Sequence, residues 1–352
     1  MENNRVLVGM SGGVDSTVCA LLLQRAGYAV TGVTLDLCAS AAAGSAEDAR
    51  AAAEKLGVPF AVRAEREAFA REVVDDFVRA YAAGYTPNPC VVCNRAVKFE
   101  KMLAAADALG CAFAATGHYA RVEYDAERRR WLLKKGRNLA KDQSYMLYRL
   151  TQAQLSRLLL PLGEIESKDA VRALAAEAGL AAAEKKDSQD ICFLPDGDYA
   201  AFLRARGVAL TPGDFVDEQG RVLGRHKGLP CYTAGQRKGL GVGGSPYPLY
   251  VLRKNAADNT VVLGPEARLY TDRLVAERAS WIAFDDLTEP VRCAVKIRYS
   301  AGETPAVAAP LPGGRFEVRF DAPVRAAAPG QSAVLYDGDT VLGGGFICRA
   351  GE

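Results

Sequence analysis

Three cysteines in this chain stand among polar residues and turn formers, where a thiol is available for chemistry. Cys90 and Cys93 form a C-x-x-C pair within the segment GYTPNPCVVCNRAVKFEKM, and Cys192 lies in KKDSQDICFLPDGDY. Thiols in such settings act as nucleophiles, as redox pairs or as ligands of zinc and iron–sulfur clusters. A structural zinc site needs four ligands, and the chain has no second C-x-x-C and only 2 histidines. Zinc is therefore not favoured, while sulfur chemistry and an iron–sulfur cluster stay open.

A second segment with chemical potential is VLVGMSGGVDSTVCALLL, in which an apolar run gives way to glycine, serine and aspartate. A glycine-rich turn between a strand and a helix presents backbone N–H groups and the positive end of the helix dipole to an anion. Gly12 and Gly13 allow close backbone approach, and Ser11 and Ser16 add hydroxyl donors. The segment is therefore expected to bind phosphate.

The pattern is neither G-x-x-x-x-G-K-[ST] nor G-x-G-x-x-G. Instead, SGGVDS resembles the PP-loop of the ATP pyrophosphatase superfamily, which cleaves ATP to AMP and pyrophosphate. Asp15 is then expected to reach the phosphates through Mg²⁺. The alternative is an ordinary turn in which Asp15 and Ser16 cap the helix.

The elements that position these residues follow from hydrophobic periodicity. Short apolar runs typical of buried parallel strands alternate with amphipathic helical patterns over about the first 120 residues. The predicted strands are RVLVGM, AVTGVTL, PFAVRA and CAFAATGHYA, and the predicted helices are STVCALLLQRAG, SAEDARAAAEKLG, REAFAREVVDDFVRAYAAG and KFEKMLAAADALG. Such alternation predicts a parallel sheet with helices on both faces. Residues 121–136 are expected to form a hairpin, and residues 141–180 to be helical.

The pattern changes after about residue 205, where glycines, turns and short β-type runs replace helical periodicity. We therefore predict an α/β chain of three domains. A PP-loop ATP pyrophosphatase catalytic domain with a parallel sheet, similar to the adenine nucleotide alpha hydrolases, spans residues 1–204. A small β-rich central domain spans 205–274, and a C-terminal β-barrel spans 275–352.

Composition excludes several classes of protein. Of the 352 residues, 49% are hydrophobic and 24% are charged, as in ordinary globular domains. No apolar run reaches the ~18 residues of a membrane-spanning helix, and MENNRVLVG lacks the pattern of a secretory signal. The chain has 9 cysteines, and an odd count without a signal argues against a disulfide framework. We expect a cytoplasmic protein.

The net charge of +2 conceals local basic clusters, which are Arg128–Arg130, Lys134–Lys135, Lys185–Lys186, Arg225–Lys227 and Arg237–Lys238.

Eight segments occur together in one order: GMSGGVDS, TPNPCVVCNRAVKF, ATGHYAR, KDQSYML, KKDSQDICF, YTAGQRKGLG, KIRYS and PGQSAVLYDG…LGGG. Over essentially the whole chain this series resembles the tRNA-specific 2-thiouridylases, which place sulfur on the wobble uridine of certain tRNA anticodons. The resemblance implies that ATP adenylates the uridine C2 oxygen before sulfur replaces it. It also implies tRNA as a partner, ATP and Mg²⁺ as cofactors, and a cysteine desulfurase or sulfur-carrier protein as the sulfur donor.

The resemblance carries roles over to matching positions. Cys93 matches the first catalytic cysteine and Cys192 the cysteine that carries the persulfide, with Asp15 also assigned to the reaction. ATP binding falls on Gly9, Met10, Ser11, Gly12, Gly13, Val14, Asp15, Ser16, Leu35 and Gly117. The residues that match positions facing the target base are Asn88, Pro89 and Cys90. tRNA contact falls on His118, Lys141, Asp142, Gln143, Arg298, Tyr299 and Gln331.

One position departs from the family pattern and leaves two mechanisms open. Many members carry aspartate where this chain has Cys90. The trio Cys90, Cys93 and Cys192 is similar to the three-cysteine sites of other tRNA thiolases, which hold a [4Fe–4S] cluster with one iron open for sulfide. Sulfur then arrives either as a persulfide on Cys192, the nearer family match, or as cluster-bound sulfide.

Other readings of the same residues also stay open. Lys185, Lys186 and Arg95 are expected either to lower the pKa of a thiol or to contact phosphate. His118 is expected to stack on a base, or else to be a simple hydrogen-bonded histidine. Two rival functions are an amide-forming PP-loop synthetase, which needs no paired cysteines, and a non-catalytic tRNA-binding module with a metal-stapled loop. Cys231 receives no role.

Overall fold

The computed structural model describes residues 3–38, 45–180, 191–194 and 197–349. Lys185 and Lys186, which were expected near a thiol, lie outside the described residues. Within those ranges, no helix is both long enough and apolar enough to cross a membrane.

A five-stranded parallel sheet lies in the N-terminal part of the chain. Its strands are β1 (Arg5–Gly9), β2 (Ala29–Asp36), β3 (Phe60–Ala64), β4 (Phe113–Ala115) and β7 (Leu158–Leu159). The spatial order is β3-β2-β1-β4-β7, which confirms the predicted parallel sheet. The chain moves outward from β1 in one direction and then in the other, so a crevice opens at the carboxyl ends of β1 and β4, where ligands bind in open α/β sheets.

The α-helices lie mainly between these strands. They are α1 (Val14–Arg25), α2 (Ser45–Leu56), α3 (Arg66–Phe69), α4 (Asp75–Ala82), α5 (Pro89–Cys93), α6 (Glu100–Ala108), α7 (Ser144–Leu147), α8 (Gln152–Leu155), α9 (Lys168–Glu177) and α10 (Tyr199–Ala205). π-Helical turns at Ala70–Val74 and Asn94–Phe99 join α3 to α4 and α5 to α6. Short 3₁₀ turns cover Leu139–Lys141, Pro161–Glu164, Leu229–Cys231 and Glu266–Leu269.

The central strand β1 is buried on both faces. Val6 and Val8 pack with Cys19 and Ala20 of α1, whereas Leu7 packs with residues of α6 on the opposite face. Because successive strand residues point to opposite faces, this arrangement confirms that helices cover both faces of the sheet.

The C-terminal strands close into a barrel, as predicted. They are β12 (Tyr270–Trp281), β13 (Val291–Lys296), β14 (Thr304–Leu311), β15 (Arg315–Arg325), β16 (Ser332–Asp337) and β17 (Thr340–Ile347). Their order is β12-β15-β14-β13-β16-β17, and the pairing of β17 with β12 closes the circle. Closure removes the exposed edges that an open sheet would present.

The predicted hairpin forms from β5 (Ala120–Asp125) and β6 (Arg130–Lys135). It extends the barrel sheet and not the parallel sheet, because Lys134 of β6 pairs with Thr340 of β17. Arg121 also donates a hydrogen bond to the carboxylate of Asp339. The hairpin therefore ties the N-terminal part of the chain to the barrel.

The central β-rich part forms a small sheet of its own. Its strands are β8 (Gly213–Val216), β9 (Val222–His226), β10 (Tyr250–Asn255) and β11 (Thr260–Gly264), in the order β10-β11-β8-β9. Phe215, Tyr232 and Val251 contribute to its separate apolar core.

The helical prediction for residues 141–180 was only partly right. The helices α7 and α8 are four residues each, and β7 and a 3₁₀ turn follow before the longer α9 begins. A capping box at Thr151 and Gln154 starts α8 afresh, and Pro161 opens the 3₁₀ turn. β12 begins at Tyr270, ahead of the expected boundary at residue 275. The division into 1–204, 205–274 and 275–352 stays a prediction.

Candidate active site

The glycine-rich loop after β1 leads directly into α1. Gly12 has a φ of +73°, a conformation that favours glycine. Gly13 is the N-cap of α1 and has no side chain with which to cap it. Ser16 Oγ donates to the Gly13 carbonyl at 3.1 Å and accepts from the Ser11 N–H at 3.1 Å. The positive end of this helix of 12 residues therefore faces the crevice, as an anion site requires.

Leu35 and Gly117 lie at the same edge of the sheet. Leu35 is the penultimate residue of β2, and Gly117 follows β4. A Cβ on Gly117 would lie 2.7 Å from the carbonyl carbon of Asp15. Only glycine lets this loop pack so closely on the first turn of α1, so the residues assigned to ATP lie around one crevice.

Asp15 is held by an ion pair within the protein. Lys168 Nζ lies 2.7 Å from each of its carboxylate oxygens, and the Tyr119 hydroxyl donates to it at 2.6 Å. Sequence reasoning missed both partners, because they are 153 and 104 residues away and no local spacing connects them. Asp15 was expected to reach the phosphates through Mg²⁺. In the structure, both oxygens of its carboxylate are already hydrogen-bonded to protein groups.

The C-x-x-C pair lies at the start of the long helical segment that contains α5 and α6. Asn88 is the N-cap of α5, and its Oδ1 accepts a hydrogen bond from the Cys90 N–H at 3.1 Å. Pro89 occupies the first turn, where its missing N–H costs nothing. Residues three apart on a helix are neighbours, so Cys90 lies beside Cys93. Cys90 is exposed, and Cys93 is 9% exposed.

Cys192 reaches the same place from a different segment. Cys93 and Phe193 belong to one apolar cluster, and Ile191 and Cys38 pack against that cluster. The Cys38 thiol donates to the Cys192 carbonyl oxygen at 3.7 Å. The structure therefore brings Cys93, Cys192 and Cys38 together. Cys38 was missed, although its place just after a predicted strand end was a usable signal.

The electrostatics of the site keep these thiols protonated. Burial raises the pKa of Cys93 to about 11, and the charge and backbone N–H of Lys98 oppose that rise. The pKa of Cys90 is also raised by burial, since the packing around it is dense although its side chain reaches solvent. A hydrogen bond with Cys38, followed by burial, raises the pKa of Cys192.

Lys98 connects the thiols to the nucleotide edge. Its charge opposes the rise that burial causes in the pKa of Cys93 and Cys90. The pKa of His118 lies well below 6.5, with burial as the largest cause and the charge of Lys98 as the second. The charge of Arg95, which was expected to act on a thiol, acts instead on Tyr148 and Arg149. Lys98 was missed in the sequence, because its position five residues after Cys93 matches no motif that was considered.

The arrangement of the metal-ligating side chains bears on the zinc and iron–sulfur sites that the cysteines suggested. Within the described ranges, no three side chains of His, Cys, Asp or Glu lie so that they can hold a metal ion. The arrangement of Cys90, Cys93 and Cys192 therefore does not fit a three-thiolate cluster site in this structure.

Several residues assigned to tRNA are engaged in local structure. Thr116 Oγ1 and His118 Nδ1 are 2.7 Å apart, and the His118 ring packs on Phe99 at 5.7 Å between centroids. Gln143 Oε1 accepts a hydrogen bond from the Tyr119 N–H at 3.0 Å. Asp142 is buried and accepts from Gly136 and Ser144, while Lys141 ends a 3₁₀ turn beside it.

Arg298 and Gln331, which were also assigned to tRNA, form hydrogen bonds between different parts of the chain. Arg298 Nη2 donates to the carbonyl of Ala234 in the central part at 2.9 Å and to that of Ala326 in the barrel at 2.6 Å. Gln331 Nε2 donates to the carbonyl of Thr86, just before the C-x-x-C segment, at 2.8 Å. Tyr299 exposes 38% of its surface.

The basic clusters of the hairpin form ion pairs. Arg130 pairs with Asp285, Lys135 pairs with Glu303, and Lys134 pairs with Glu123. Arg128 and Arg129 in the hairpin turn are exposed, as are Arg237 and Lys238 in a glycine-rich loop of the central part.

A cavity of about 490 Å³ lies where the three parts of the chain meet. Thr86 and Pro87 precede the base-facing segment, Ile191 precedes Cys192, and Cys231 and Gln331 come from the central part and the barrel. Its volume falls within the range of small-ligand pockets.

Comparison with known proteins identifies relatives over the whole chain. Family models described as the tRNA methyl transferase HUP domain, the tRNA methyl transferase PRC-barrel domain and the aminomethyltransferase beta-barrel domain match residues 4–196, 200–265 and 271–347. The tRNA-specific 2-thiouridylase MnmA 2 of Caldanaerobacter subterraneus subsp. tengcongensis is 48% identical, with 99% of each chain covered. The tRNA-specific 2-thiouridylase MnmA of Acetivibrio thermocellus is 47% identical, covering 99% of this chain and 100% of that one. The MnmA of Clostridioides difficile is 46% identical, with 98% of each covered. The chain therefore belongs to the tRNA-specific 2-thiouridylase family.

Proposed function

We propose that this protein uses ATP to replace the C2 oxygen of the wobble uridine in tRNA anticodons with sulfur. The observation that carries the proposal is that the phosphate cradle follows β1 and Cys38 of the thiol group follows the neighbouring parallel strand β2, so both lie at the carboxyl edge of one sheet. The identity of 46–48% to 2-thiouridylases over nearly the full chain supports the same activity.

The cradle serves the first step. The C2 oxygen of uridine is a poor leaving group, and its attack on the α-phosphate of ATP turns it into part of an AMP leaving group. The N–H groups at the start of α1, with Ser11 and Ser16, stabilise the departing pyrophosphate. Mg²⁺ bound with ATP would offset the charge of the phosphates, while the Asp15 carboxylate is engaged by Lys168 and Tyr119. The pair of Asp15 and Lys168 holds the first turn of α1 in place against α9.

The thiols serve the second step in a persulfide relay. Cys192 carries a persulfide, and the Cys93 thiolate attacks the Cys192 sulfur. The outer sulfur leaves as hydrosulfide and attacks C2, and AMP departs. The product is a Cys93–Cys192 disulfide, which an external reductant returns to two thiols. The packing of Ile191 and Phe193, the chain neighbours of Cys192, in the apolar cluster that contains Cys93 supports this pairing.

The target uridine must leave the anticodon stack to reach these groups. The cavity of about 490 Å³ is large enough for a nucleoside, and its lining residues Pro87 and Ile191 are chain neighbours of the proposed base-facing and persulfide positions. Exposed Tyr299 offers a ring for stacking, and Arg237 and Lys238 offer charge for the tRNA backbone. His118 is neutral at physiological pH, because burial and Lys98 lower its pKa.

The cluster-sulfide alternative has its own test. Cys90, Cys93 and Cys192 do not form a metal-holding group among the described residues. Anaerobically prepared protein is assayed for iron and labile sulfide beside thiolation. Metal-free protein that thiolates tRNA from a persulfide donor supports the relay, and activity that requires iron contradicts it.

The sulfur donor in this proposal is a cysteine desulfurase or a sulfur-carrier protein that presents a persulfide to Cys192, whose side chain is exposed. The proposed reaction takes place in the cytoplasm, where tRNA and reducing thiols are present.

The decisive experiment measures 2-thiouridine in tRNA by mass spectrometry after reaction with ATP and a persulfide donor. The unmodified protein is expected to form 2-thiouridine with AMP and pyrophosphate, and Cys93→Ser and Cys192→Ser to form none. Cys111→Ala is the control, because Cys111 is buried under α6 and away from the thiol group. A Cys192→Ser protein that still thiolates contradicts the relay.

The same assay separates the rival functions. ATP-dependent formation of an amide that survives Cys93→Ala indicates a PP-loop synthetase. tRNA binding without any tRNA-dependent ATP–pyrophosphate exchange indicates a binding module.

A further inference from the structure

Cys38 is a thiol at the active site to which the proposed reaction gives no task. It lies two residues beyond β2, at the same sheet edge as Leu35. Its side chain is half-buried, packs against the apolar cluster that contains Cys93, and donates to the Cys192 carbonyl at 3.7 Å. Two independent contacts, one polar and one apolar, therefore fix Cys38 beside the cysteine that carries sulfur.

The proposed relay ends in a disulfide of which only one sulfur, that of Cys192, is exposed. The Cys93–Cys192 disulfide has one sulfur from a residue that is only 9% exposed and packed into an apolar cluster. Thiol–disulfide exchange needs an attacking sulfur that can reach one end of the S–S bond. Exchange therefore begins at the exposed Cys192, and Cys38 already lies against that residue, whereas an external thiol has to diffuse to it.

We propose that Cys38 is the resolving thiol, which attacks Cys192 in the Cys93–Cys192 disulfide and moves that disulfide towards the surface. This inference rests on the proposed function, since the relay supplies the disulfide.

The exchange balances without an oxidant. Cys38 loses its proton and attacks the Cys192 sulfur, the Cys93–Cys192 bond breaks, and Cys93 leaves as a thiolate that takes up a proton. The Cys38–Cys192 disulfide is then reduced by an external dithiol, which becomes a disulfide and leaves Cys38 and Cys192 as thiols. The charge and backbone N–H of Lys98, which face Cys93, stabilise it as the leaving group.

The first test maps disulfides and does not depend on thiolation. The full-length protein is oxidised with one equivalent of diamide, alkylated, digested without reduction and examined by mass spectrometry. We expect Cys38–Cys192 beside Cys93–Cys192 in the unmodified protein, and Cys38–Cys192 as the main bridge in Cys93→Ser. Absence of a Cys38–Cys192 bridge from both proteins overturns the proposal.

The second test measures turnover. Persulfide-loaded Cys38→Ser is expected to complete its first turnover at the rate of the unmodified protein. Its steady-state rate at limiting dithiothreitol is expected to fall about tenfold, with Cys93–Cys192 accumulating in quenched samples. Cys38→Ala is expected to give the same result as Cys38→Ser. Cys111→Ala is expected to match the unmodified protein, which separates loss of the resolving thiol from a general folding defect.

The outcomes separate this proposal from the one on which it rests. An equal steady-state rate for Cys38→Ser at every dithiothreitol concentration, or loss of its first turnover, overturns the resolving role. A Cys38–Cys192 bridge that forms by exchange in a protein that makes no 2-thiouridine overturns the proposed function and leaves the exchange standing.

Discussion

At the scale of single residues, the site combines thiols whose burial keeps them protonated with one lysine that opposes this effect. Burial is the largest cause of the raised pKa of Cys93, and Lys98 acts on that residue through its charge and its backbone N–H. Only the thiolate is a nucleophile. The rate of sulfur transfer is therefore expected to rise with pH towards about 11, the pKa of Cys93.

Removing the charge of Lys98 is expected to slow the reactions of Cys93. Lys98→Met leaves burial unopposed, so the pKa of Cys93 rises further and the thiolate fraction at a given pH falls. We expect alkylation of Cys93 by iodoacetamide to be about three- to tenfold slower between pH 7 and 9, with the pH profile displaced to higher pH. Lys98→Arg retains the charge and should react at close to the original rate.

Lys101→Met is the matched control for this prediction, because Lys101 follows on the same helical segment but pairs with Glu65. Peptide mass spectrometry of Cys93 measures each rate. Identical pH profiles for Lys98→Met and the unmodified protein would show that Lys98 does not tune this thiol.

The ion pair of Asp15 and Lys168 gives a second prediction at this scale. The two side chains are 31% and 13% exposed, so removing one charge leaves the other partly buried without its partner. Asp15→Asn is expected to cost about 1–2 kcal/mol of unfolding free energy, a buried-pair penalty reduced for partial exposure. It should also abolish ATP-dependent thiolation while tRNA binding is retained.

Urea denaturation and ATP–pyrophosphate exchange measure these two effects. Glu177→Gln is the control, because it breaks the exposed pair with Arg25 on the same helices and should cost at most about 0.5 kcal/mol. Full thiolation activity in Asp15→Asn would refute the role of Asp15.

At the scale of elements, two features shape the site: the close approach of the β4 loop to α1, and the π-helical turn that follows Cys93. The loop after β4 and the first turn of α1 form two walls of the crevice. The backbone at Gly117 touches that first turn, and this contact sets the distance between the two walls. The π turn Asn94–Phe99 carries Lys98 between Cys93 and His118. π turns of this kind are frequent at functional sites.

Gly117→Ala is expected to separate the two walls. Its Cβ would lie 2.7 Å from one backbone atom of Asp15 and 2.8 Å from the Ser16 nitrogen, and backbone cannot yield as a flexible side chain can. We expect a loss of about 1–3 kcal/mol in stability and loss of ATP–pyrophosphate exchange, measured by denaturation and isotope exchange. Gly243→Ala is the control, because a Cβ there meets nothing within 4 Å. Normal exchange by Gly117→Ala would contradict this account of the crevice.

At the scale of the whole molecule, the three parts are joined by side chains that bind backbone carbonyls of their neighbours. Arg298 connects the central part to the barrel, and Gln331 connects the barrel to the segment before Asn88. These contacts fix the walls of the cavity at the junction. The resemblance assigns both residues to tRNA contact, and their geometry gives them a positioning role as well.

Arg298→Met tests these two roles against each other. It leaves the carbonyls of Ala234 and Ala326 without their charged donor, so we expect a loss of about 2–3 kcal/mol in stability and weaker tRNA binding. If Arg298 positions the parts, the slope of log affinity against log salt stays unchanged, whereas a lost phosphate contact lowers it by about 1. Arg315→Met, at an exposed barrel position, is the control for stability. A reduced slope with full stability would assign Arg298 to the tRNA backbone alone.

The sequence by itself determined the parallel sheet, the helices on its two faces, the β-rich remainder and the loop at Gly12. These depend on periodicity, turn chemistry and capping, which act over a few residues. Its prediction that residues 141–180 are helical was only partly right, because a capping box at Thr151 and the turn at Pro161 restart the chain there.

Only the tertiary structure decided which distant groups meet. It joined the hairpin to the barrel through contacts such as Arg121 to Asp339, 218 residues apart, and it placed Lys168 on Asp15. It also brought Cys38 to Cys192, 154 residues away. Such pairs leave no trace in local spacing, because the folding of several elements and not any short segment fixes the distance between them. The sequence thus determined the chemical groups and most of the local structure, and the tertiary structure decided which groups act together.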